Sequence, residues 1–344
     1  MSSGRISTWN DHSEGARLHM EHDAERELLG IHHVTAIAGD PQENVDFYAG
    51  VLGMRLVKRS VNQDDPATFH LFYADAVGTP GTDLTFFPWA GGRRGRRGAG
   101  QTVSVGLGIP AAAIPYWQRR LEAAGIPYGA STKRFDEEVL AFNDPHGLSL
   151  ELVAAPGIEH RPWVAWEEGP VTPQFAIRGI HGITLQEAGA DPTQTFVSDT
   201  LRFHLLGEAE GRLRFAIGPG GSGAIVDVLA AAQVPRGLGA VGTVHHVAWR
   251  TLDAAQQRSW WDDLGARGVG VSPIIDRFWF SSIYFHEPGG ALFEIATDGP
   301  GFTIDEGREA LGTRLILPPW LEPMRPQIER GLPPLRLPTP APAL

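Results

Sequence analysis

Five residues in this sequence combine types and spacings suited to metal chemistry: the adjacent pairs His32-His33 and His245-His246, and Glu294 in an apolar run. Two imidazoles with one carboxylate make a facial set that suits non-haem iron(II) and leaves coordination positions open to reactants. A lone buried histidine is more often a hydrogen-bonded core residue than a ligand, but two pairs at the same position of repeated strands point the other way. Neighbours on a strand face opposite sides. An inward His33 and an inward His246 therefore predict that His32 and His245 point away. Glu294 lies between Phe293 and Ile295, and a carboxylate buried there needs a cation or strong donors. The chain has no cysteine against 13 histidines. That excludes disulfides, thiolate-held zinc, cysteine-held iron–sulfur clusters and a thiol nucleophile.

The elements that must position these residues repeat along the chain. Gly30-Ile31-His32-His33-Val34-Thr35 returns as Gly179-Ile180-His181-Gly182-Ile183-Thr184, and each is followed by an Asp-Pro helix start, Asp40-Pro41 and Asp191-Pro192. In both, Asp suits the N-cap and Pro the first helical position. A third copy begins at Thr243 and carries a helix from Ala254 to Leu264; a weaker fourth begins at Gln101 and carries a helix from Ile114 to Ala124. Alternating runs such as 68–73 and 278–285 read as half-buried strands. The ends repeat too, Asp144-Pro145-His146-Gly147 before Glu151 matching Glu287-Pro288-Gly289-Gly290 before Glu294. The predicted unit is βαβββ, four times over, near 30–90, 100–155, 176–230 and 242–300.

Aligning the units gives His33, Ser104 or its neighbour, Gly182 and His246 on the first strands, and Thr85, Glu151, Asp227 and Glu294 on the last. Units one and four together supply two histidines and a glutamate; units two and three supply only carboxylates. One metal site follows, shared by the outer units, with His33, His246 and Glu294 as ligands. Thr85 stands where a fourth ligand would be, and a neutral hydroxyl is a poor ligand beside imidazole and carboxylate.

At 344 residues the chain is long enough for about two domains. The formal net charge of −11 disfavours nucleic acid as a partner, and no apolar run approaches the roughly 18 residues of a membrane span. The leading segment lacks the apolar core of a secretory signal, so a cytoplasmic protein is expected. The one basic cluster, 91–98, reads as a solvated flexible loop, and a homo-oligomer is possible for an acidic repeat protein with sheet edges.

With these ligand positions, the paired βαβββ units resemble the vicinal oxygen chelate superfamily, which includes glyoxalase I, extradiol dioxygenases and fosfomycin-resistance proteins. The Gly-Ile-His-His-Val-Thr start, the second His-His pair, the run Ile275-Asp276-Arg277-Phe278-Trp279-Phe280-Ser281-Ser282-Ile283-Tyr284-Phe285 and the tail 318–323 are similar to the hydroquinone ring-cleaving dioxygenases, typified by chlorohydroquinone dioxygenase. The resemblance implies an α+β fold of four βαβββ modules in two domains, 30–155 and 176–300, after a frayed segment 1–29 and before a tail, 301–344, packed on both. It implies iron(II), with manganese(II) or zinc(II) as alternatives, bound by His33, His246 and Glu294, and a small aromatic substrate opened with O2. It also implies catalytic roles for His32, Thr35, His245, Arg277 and Tyr284. Tyr284 can equally be a packed core aromatic, and Arg277 a strand-edge partner of Asp276. The rival activities are a metal-dependent glyoxalase-like isomerase or lyase, and a non-catalytic small-molecule-binding resistance protein.

Overall fold

Runs rich in Val, Ile, Phe and Thr, broken by Gly and Asp-Pro, build the same element order four times in a computed structural model that describes residues 27–337. The first module holds β1 (Ile31–Ala38), helix α1 (Pro41–Val45) running into a π-helical turn (Asp46–Val51), β2 (Arg55–Asn62), β3 (Asp65–Ala74) and β4 (Asp83–Pro88). The second holds β5 (Gln101–Gly108), α2 (Ile114–Ala123), β6 (Thr132–Arg134), β7 (Glu137–Asn143) and β8 (Ser149–Ala154). The third holds β9 (Ile180–Glu187), α3 (Asp191–Thr195), β10 (His204–Ala209), β11 (Arg212–Ala216) and β12 (Ile225–Ala230). The fourth holds β13 (Thr243–Thr251), α4 (Ala254–Ala266), β14 (Ile275–Asp276), β15 (Ser281–His286) and β16 (Leu292–Thr297).

Asp40 caps α1 as expected, its carboxylate accepting from the backbone N–H groups of Gln42 and Glu43. Asp191 does not repeat this: it lies inside the first turn of α3, behind an uncapped Ala190. The run 278–285 is strand only from Ser281. Before it, Arg277 N–H bonds the Phe280 carbonyl in a tight loop with Phe278 in the left-handed region, φ 75°.

Hydrogen bonding joins the modules from the outside in. One eight-stranded sheet runs β14-β15-β16-β13-β1-β4-β3-β2, uniting the first and fourth modules; the other runs β10-β11-β12-β9-β5-β8-β7-β6, uniting the second and third. In each, the first strands of two modules pair antiparallel at the centre, β1 with β13 and β5 with β9, flanked by parallel β4, β16, β12 and β8. The segment 156–175 thus links two halves of sequence whose strands are shared between both sheets. Arg161 pins this link by donating to the carbonyls of Gly81 and Ile180 and to Ser222 Oγ.

Each central pair carries two bulges. His32 and His245 have no partner in the β1–β13 register, and His181 and Val103 have none in the β9–β5 register. A bulge adds one residue to a strand and re-aims its side chains.

One apolar core of residues from both sheets contains Trp117, Trp249 and Trp260, all fully buried. Leu28 belongs to it, and Leu29 N–H bonds the Arg250 carbonyl. The rest of the segment expected to fray, 1–26, lies outside the described residues, as does 338–344 of the tail. The described part of the tail packs on the outer-module sheet: Ile316 N–H bonds the Arg59 carbonyl, and Leu317, Leu321 and Ile328 of α5 (Arg325–Gly331) cover Val61. The basic segment 91–98 is not a free loop. Its arginine side chains are largely exposed, but Gly95 and Arg96 N–H groups bond the carbonyls of Val241 and Leu238, and Arg94 donates to the His146 carbonyl at 3.0 Å. The linkers between modules one and two and between modules three and four pair with each other, which satisfies the backbone of both.

Candidate metal centre

β1, β13 and β16 bring His33, His246 and Glu294 together although more than 200 residues separate the first two in sequence. His33 Nε2 lies 3.2 Å from His246 Nε2, and Glu294 Oε2 lies 3.4 Å and 3.0 Å from these two nitrogens. All three residues are buried, and they form a cluster able to hold a metal ion. Bond lengths of 2.0–2.2 Å at right angles would set three such ligand atoms about 3 Å apart. The atoms also need an occupant: Glu294 Oε2 is buried with no hydrogen-bond partner, while Oε1 accepts from Ser282 Oγ at 2.5 Å. Burial opposes the charge on Glu294, but the His33 and His246 imidazoles outweigh it and hold the carboxyl well below the usual range. Burial lowers the pKa of His246, opposed by the hydrogen bond and charge of Glu294.

The residue preceding each histidine ligand candidate departs from the strand alternation. His32 Nδ1 lies 2.9 Å from His33 Nδ1, and His245 Nδ1 lies 2.8 Å from His246 Nδ1. The expectation that His32 and His245 point away from the inward face fails for His245, which lines the cavity beside His246, while His32 does not line it; both sit on bulges, where period-2 alternation breaks and each Nδ1 meets its neighbour's. The consequence is chemical. With each Nδ1 pair sharing a proton, Nε2 of His33 and of His246 is the atom left to bind a cation. Burial first, and the adjacent imidazole second, lower His32 and His245 to about 3, so both stay neutral.

A cavity of about 330 Å³ opens beside the triad, walled by Phe72, Phe87, Trp279 and Phe280 and reached by His33 and His246. That volume suits a small organic ligand. Of the residues expected to act in catalysis, His245, Arg277 and Tyr284 line this cavity. His32 and Thr35 are buried behind the ligand cluster and do not line it. Tyr284 packs its ring 5.7 Å from that of His246, and burial with the nearby Glu294 charge raises its hydroxyl pKa. Arg277 does not pair with Asp276, whose carboxylate instead caps Phe278 N–H at 2.7 Å. Its guanidinium donates to both Asp64 oxygens, at 3.0 and 3.2 Å, and to Tyr284 Oη at 3.3 Å. Phe280 covers the imidazoles of His32 and His33 from above, its ring 5.2 Å from each.

Thr85 falls opposite Thr35 in the β1–β4 register, and its Oγ1 is engaged by Thr35 Oγ1 at 2.8 Å and His70 Nε2 at 3.0 Å. His70 lines the cavity and was not among the expected site residues. The available signal was its place in the alternating run of β3, but only the curl of the sheet reveals which face of that run meets the cavity beside His33 and His246.

The inner-module sheet shows what the same frame does without histidines. Register places Gly182 where the outer sheet has His33, Ser104 where it has His246, Glu151 where it has Glu294 and Asp227 where it has Thr85. The carboxylates are neutralised from within: Arg134 binds Glu151 at 2.7 and 2.8 Å, and Arg214 binds Asp227 at 2.8 and 2.9 Å. Arg214 also reaches Glu137, which pairs with His181 at 2.9 Å. Guanidinium groups fill the cation position there.

Two sheets of paired βαβββ modules with a ligand cluster at one of them define a class. The model of the Glyoxalase/Bleomycin resistance protein/Dioxygenase superfamily matches residues 30–152 and 179–295, and the chain belongs to that family. Within it, the chain is 45% identical to "Putative ring-cleaving dioxygenase MhqO" of Bacillus subtilis (strain 168) over 91% of this chain and 98% of that one. It is 32% identical to "Chlorohydroquinone/hydroquinone 1,2-dioxygenase" of Sphingobium indicum over 88% and 95%. The crystal structure of a "putative dioxygenase" from Bacillus subtilis superposes with a TM-score of 0.84 at 43% identity, covering 91% of this chain and 99% of that one. Glyoxalase I from Zea mays shares the fold, with a TM-score of 0.57 at 13% identity over 78% and 92%. This homology indicates an oxidoreductase of the ring-cleaving dioxygenase type. Among the described residues, no helix is long and apolar enough to cross a membrane.

Proposed function

We propose that this protein is an iron(II)-dependent dioxygenase that opens hydroquinone-type, 1,4-dihydroxy aromatic rings with O2. The observation that carries the reading is a three-ligand cluster whose fourth position is a neutral threonine already committed to Thr35 and His70. Iron(II) held by His33, His246 and Glu294 would supply Lewis-acid stabilisation of a phenolate and a redox path between the ring and dioxygen.

The chain's own groups do the rest. Phe72, Phe87, Trp279 and Phe280 wall an aromatic slot that favours a flat ring and excludes water. Arg277, fixed by Asp64 and Tyr284, places a permanent positive charge beside an anionic oxygen. Tyr284 keeps its proton at ordinary pH and is a donor toward such an oxygen, while neutral His245 at the cavity wall is an acceptor for a phenolic proton. His32 and Thr35 act from behind, by fixing His33 and Thr85.

A glyoxalase-like isomerase using zinc or manganese would want a fourth strong ligand, and Thr85 argues against it. A purely sequestering protein has no need of the buried triad. The deciding experiment is metal analysis of anaerobically purified protein, followed by oxygen uptake with hydroquinones and catechols. Bound iron with oxygen consumption on a hydroquinone is the expected result; tight zinc with no oxygen use overturns the proposal. A chain truncated before residue 26 controls for metal held by His12, His19 and His22.

A further inference from the structure

We propose that His70 is a specificity-determining residue that hydrogen-bonds a hydroxyl of the aromatic substrate in the cavity. The inference rests on the functional reading above and assigns a role to a residue which that reading leaves idle.

The geometry singles out one nitrogen. The His70 ring is wedged between Phe72 and Phe87, with centroids 3.8 and 4.4 Å away and planes inclined at 34° and 49°, so both neighbours limit its movement. Its Nε2 is tethered to Thr85 Oγ1 at 3.0 Å, and Thr85 is held in turn by Thr35 at 2.8 Å. Among the described residues Nδ1 has no hydrogen-bond partner, it is not one of the enclosed unsatisfied atoms, and the half-buried residue lines the cavity. Arg277, held by Asp64 and Tyr284, and His245, held through Nδ1 by His246, already have roles toward the substrate in the proposed function; His70 has none there. His70 thus offers a fixed and uncommitted hydrogen-bonding atom inside an aromatic slot.

The tether also sets what that atom can do. Threonine hydroxyl protons rotate freely. When Thr85 donates to Nε2, the proton of His70 sits on Nδ1, which then donates to a deprotonated substrate oxygen. When Nε2 donates to Thr85, Nδ1 accepts from a substrate hydroxyl. Both directions use the same heavy-atom positions. Burial lowers the pKa of the ring, which favours the neutral form that has this choice. Thr35 and Thr85 are positioning residues in this scheme.

The test uses the iron-loaded protein under anaerobic conditions, with equilibrium titration of hydroquinone and of phenol as probes. Four variants are compared: His70→Phe fills the slot without a nitrogen; His70→Asn keeps a polar atom near Nδ1; His70→Gln keeps one near Nε2; and Thr85→Val cuts the tether. Iron content and Tm report whether the fold and triad survive. The expected result is about ten-fold weaker hydroquinone binding in His70→Phe and His70→Gln. His70→Asn should retain most of the affinity, and Thr85→Val should give an intermediate loss, with iron content unchanged throughout. A matching loss for phenol assigns His70 to the oxygen both probes share; no loss for phenol assigns it to the second hydroxyl. Wild-type affinity in His70→Phe overturns the role of His70 while leaving the functional reading intact. Failure of the wild-type protein to bind either probe overturns the reading itself, and the role of His70 with it.

Discussion

Arg277 and Asp64 meet across the mouth of the cavity, Nη2 to Oδ2 at 3.0 Å, although they belong to opposite ends of the eight-stranded sheet. Asp64 tips the turn between β2 and β3, and Arg277 leads out of β14, so the pair, with Gln63 Nε2 on the Arg277 carbonyl at 2.9 Å, closes the curled sheet on itself. The Asp64 side chain is 73% exposed. Its worth lies in aiming Arg277 rather than in stability, since exposed ion pairs contribute about 0–1 kcal/mol. Asp64→Asn should leave Tm within a few degrees of wild type while raising KM for hydroquinone several-fold, as read by thermal melts and oxygen-electrode kinetics.

The imidazole pairs predict a metal-affinity effect without loss of a ligand. His32→Leu removes the partner that fixes the His33 tautomer. Metal affinity should fall by about 10–100-fold in a chelator competition, whereas His246→Ala and Glu294→Gln should abolish retention altogether. Unchanged affinity in His32→Leu would show that the Nδ1 contact does not set the ligand's tautomer.

Thr85→Glu places a carboxylate in the fourth position. The expected protein holds divalent metal at least as tightly as wild type but consumes no oxygen with any hydroquinone, because an open coordination position has been filled. Metal analysis and oxygen uptake on the same sample separate this from simple misfolding.

The guanidinium-filled counterpart predicts metal stoichiometry. One ion per chain is expected, not two, because Arg134 and Arg214 occupy the cation position between Glu151, Asp227 and Glu137. Arg214→Leu removes the bidentate partner of Asp227 and one partner of Glu137, leaving them Arg212 and His181, and should cost about 2–3 kcal/mol in denaturant unfolding, with the metal content of the folded fraction unaltered.

Stability should also carry a pH signature far from the metal. Burial, and then the Glu287 carboxylate, raise Glu187 to about 8. An unfolded chain releases that proton near the ordinary carboxyl range, so the contribution of Glu187 to stability is intact below about 4.5 and is lost as pH rises toward 8. Glu187→Gln should therefore raise Tm at pH 8 by more than it does at pH 5.

Repetition made much of this molecule legible. The repeated βαβββ order, the α+β class and the eight aligned positions on first and last strands can be read from recurring motifs, because each motif marks the same turn or strand start. His33, His246 and Glu294 stand out by type alone once Gly182, Ser104 and Thr85 are seen at the matching positions. What repetition cannot tell is which modules pair, since strand pairing is set by contacts distant in sequence: β1 with β13 rather than any strand of its own half. Nor does a periodic pattern reveal a bulge. His32 and His245 turned out to brace their neighbours because one unpartnered residue breaks the alternation in each strand. Asp64 over Asp276 as the partner of Arg277, and the entry of His70 into the cavity, both follow from sheet curvature, a property of eight strands together. Residue chemistry and its period are local and belong to the sequence; which chemistry faces which is decided where distant strands close on one another.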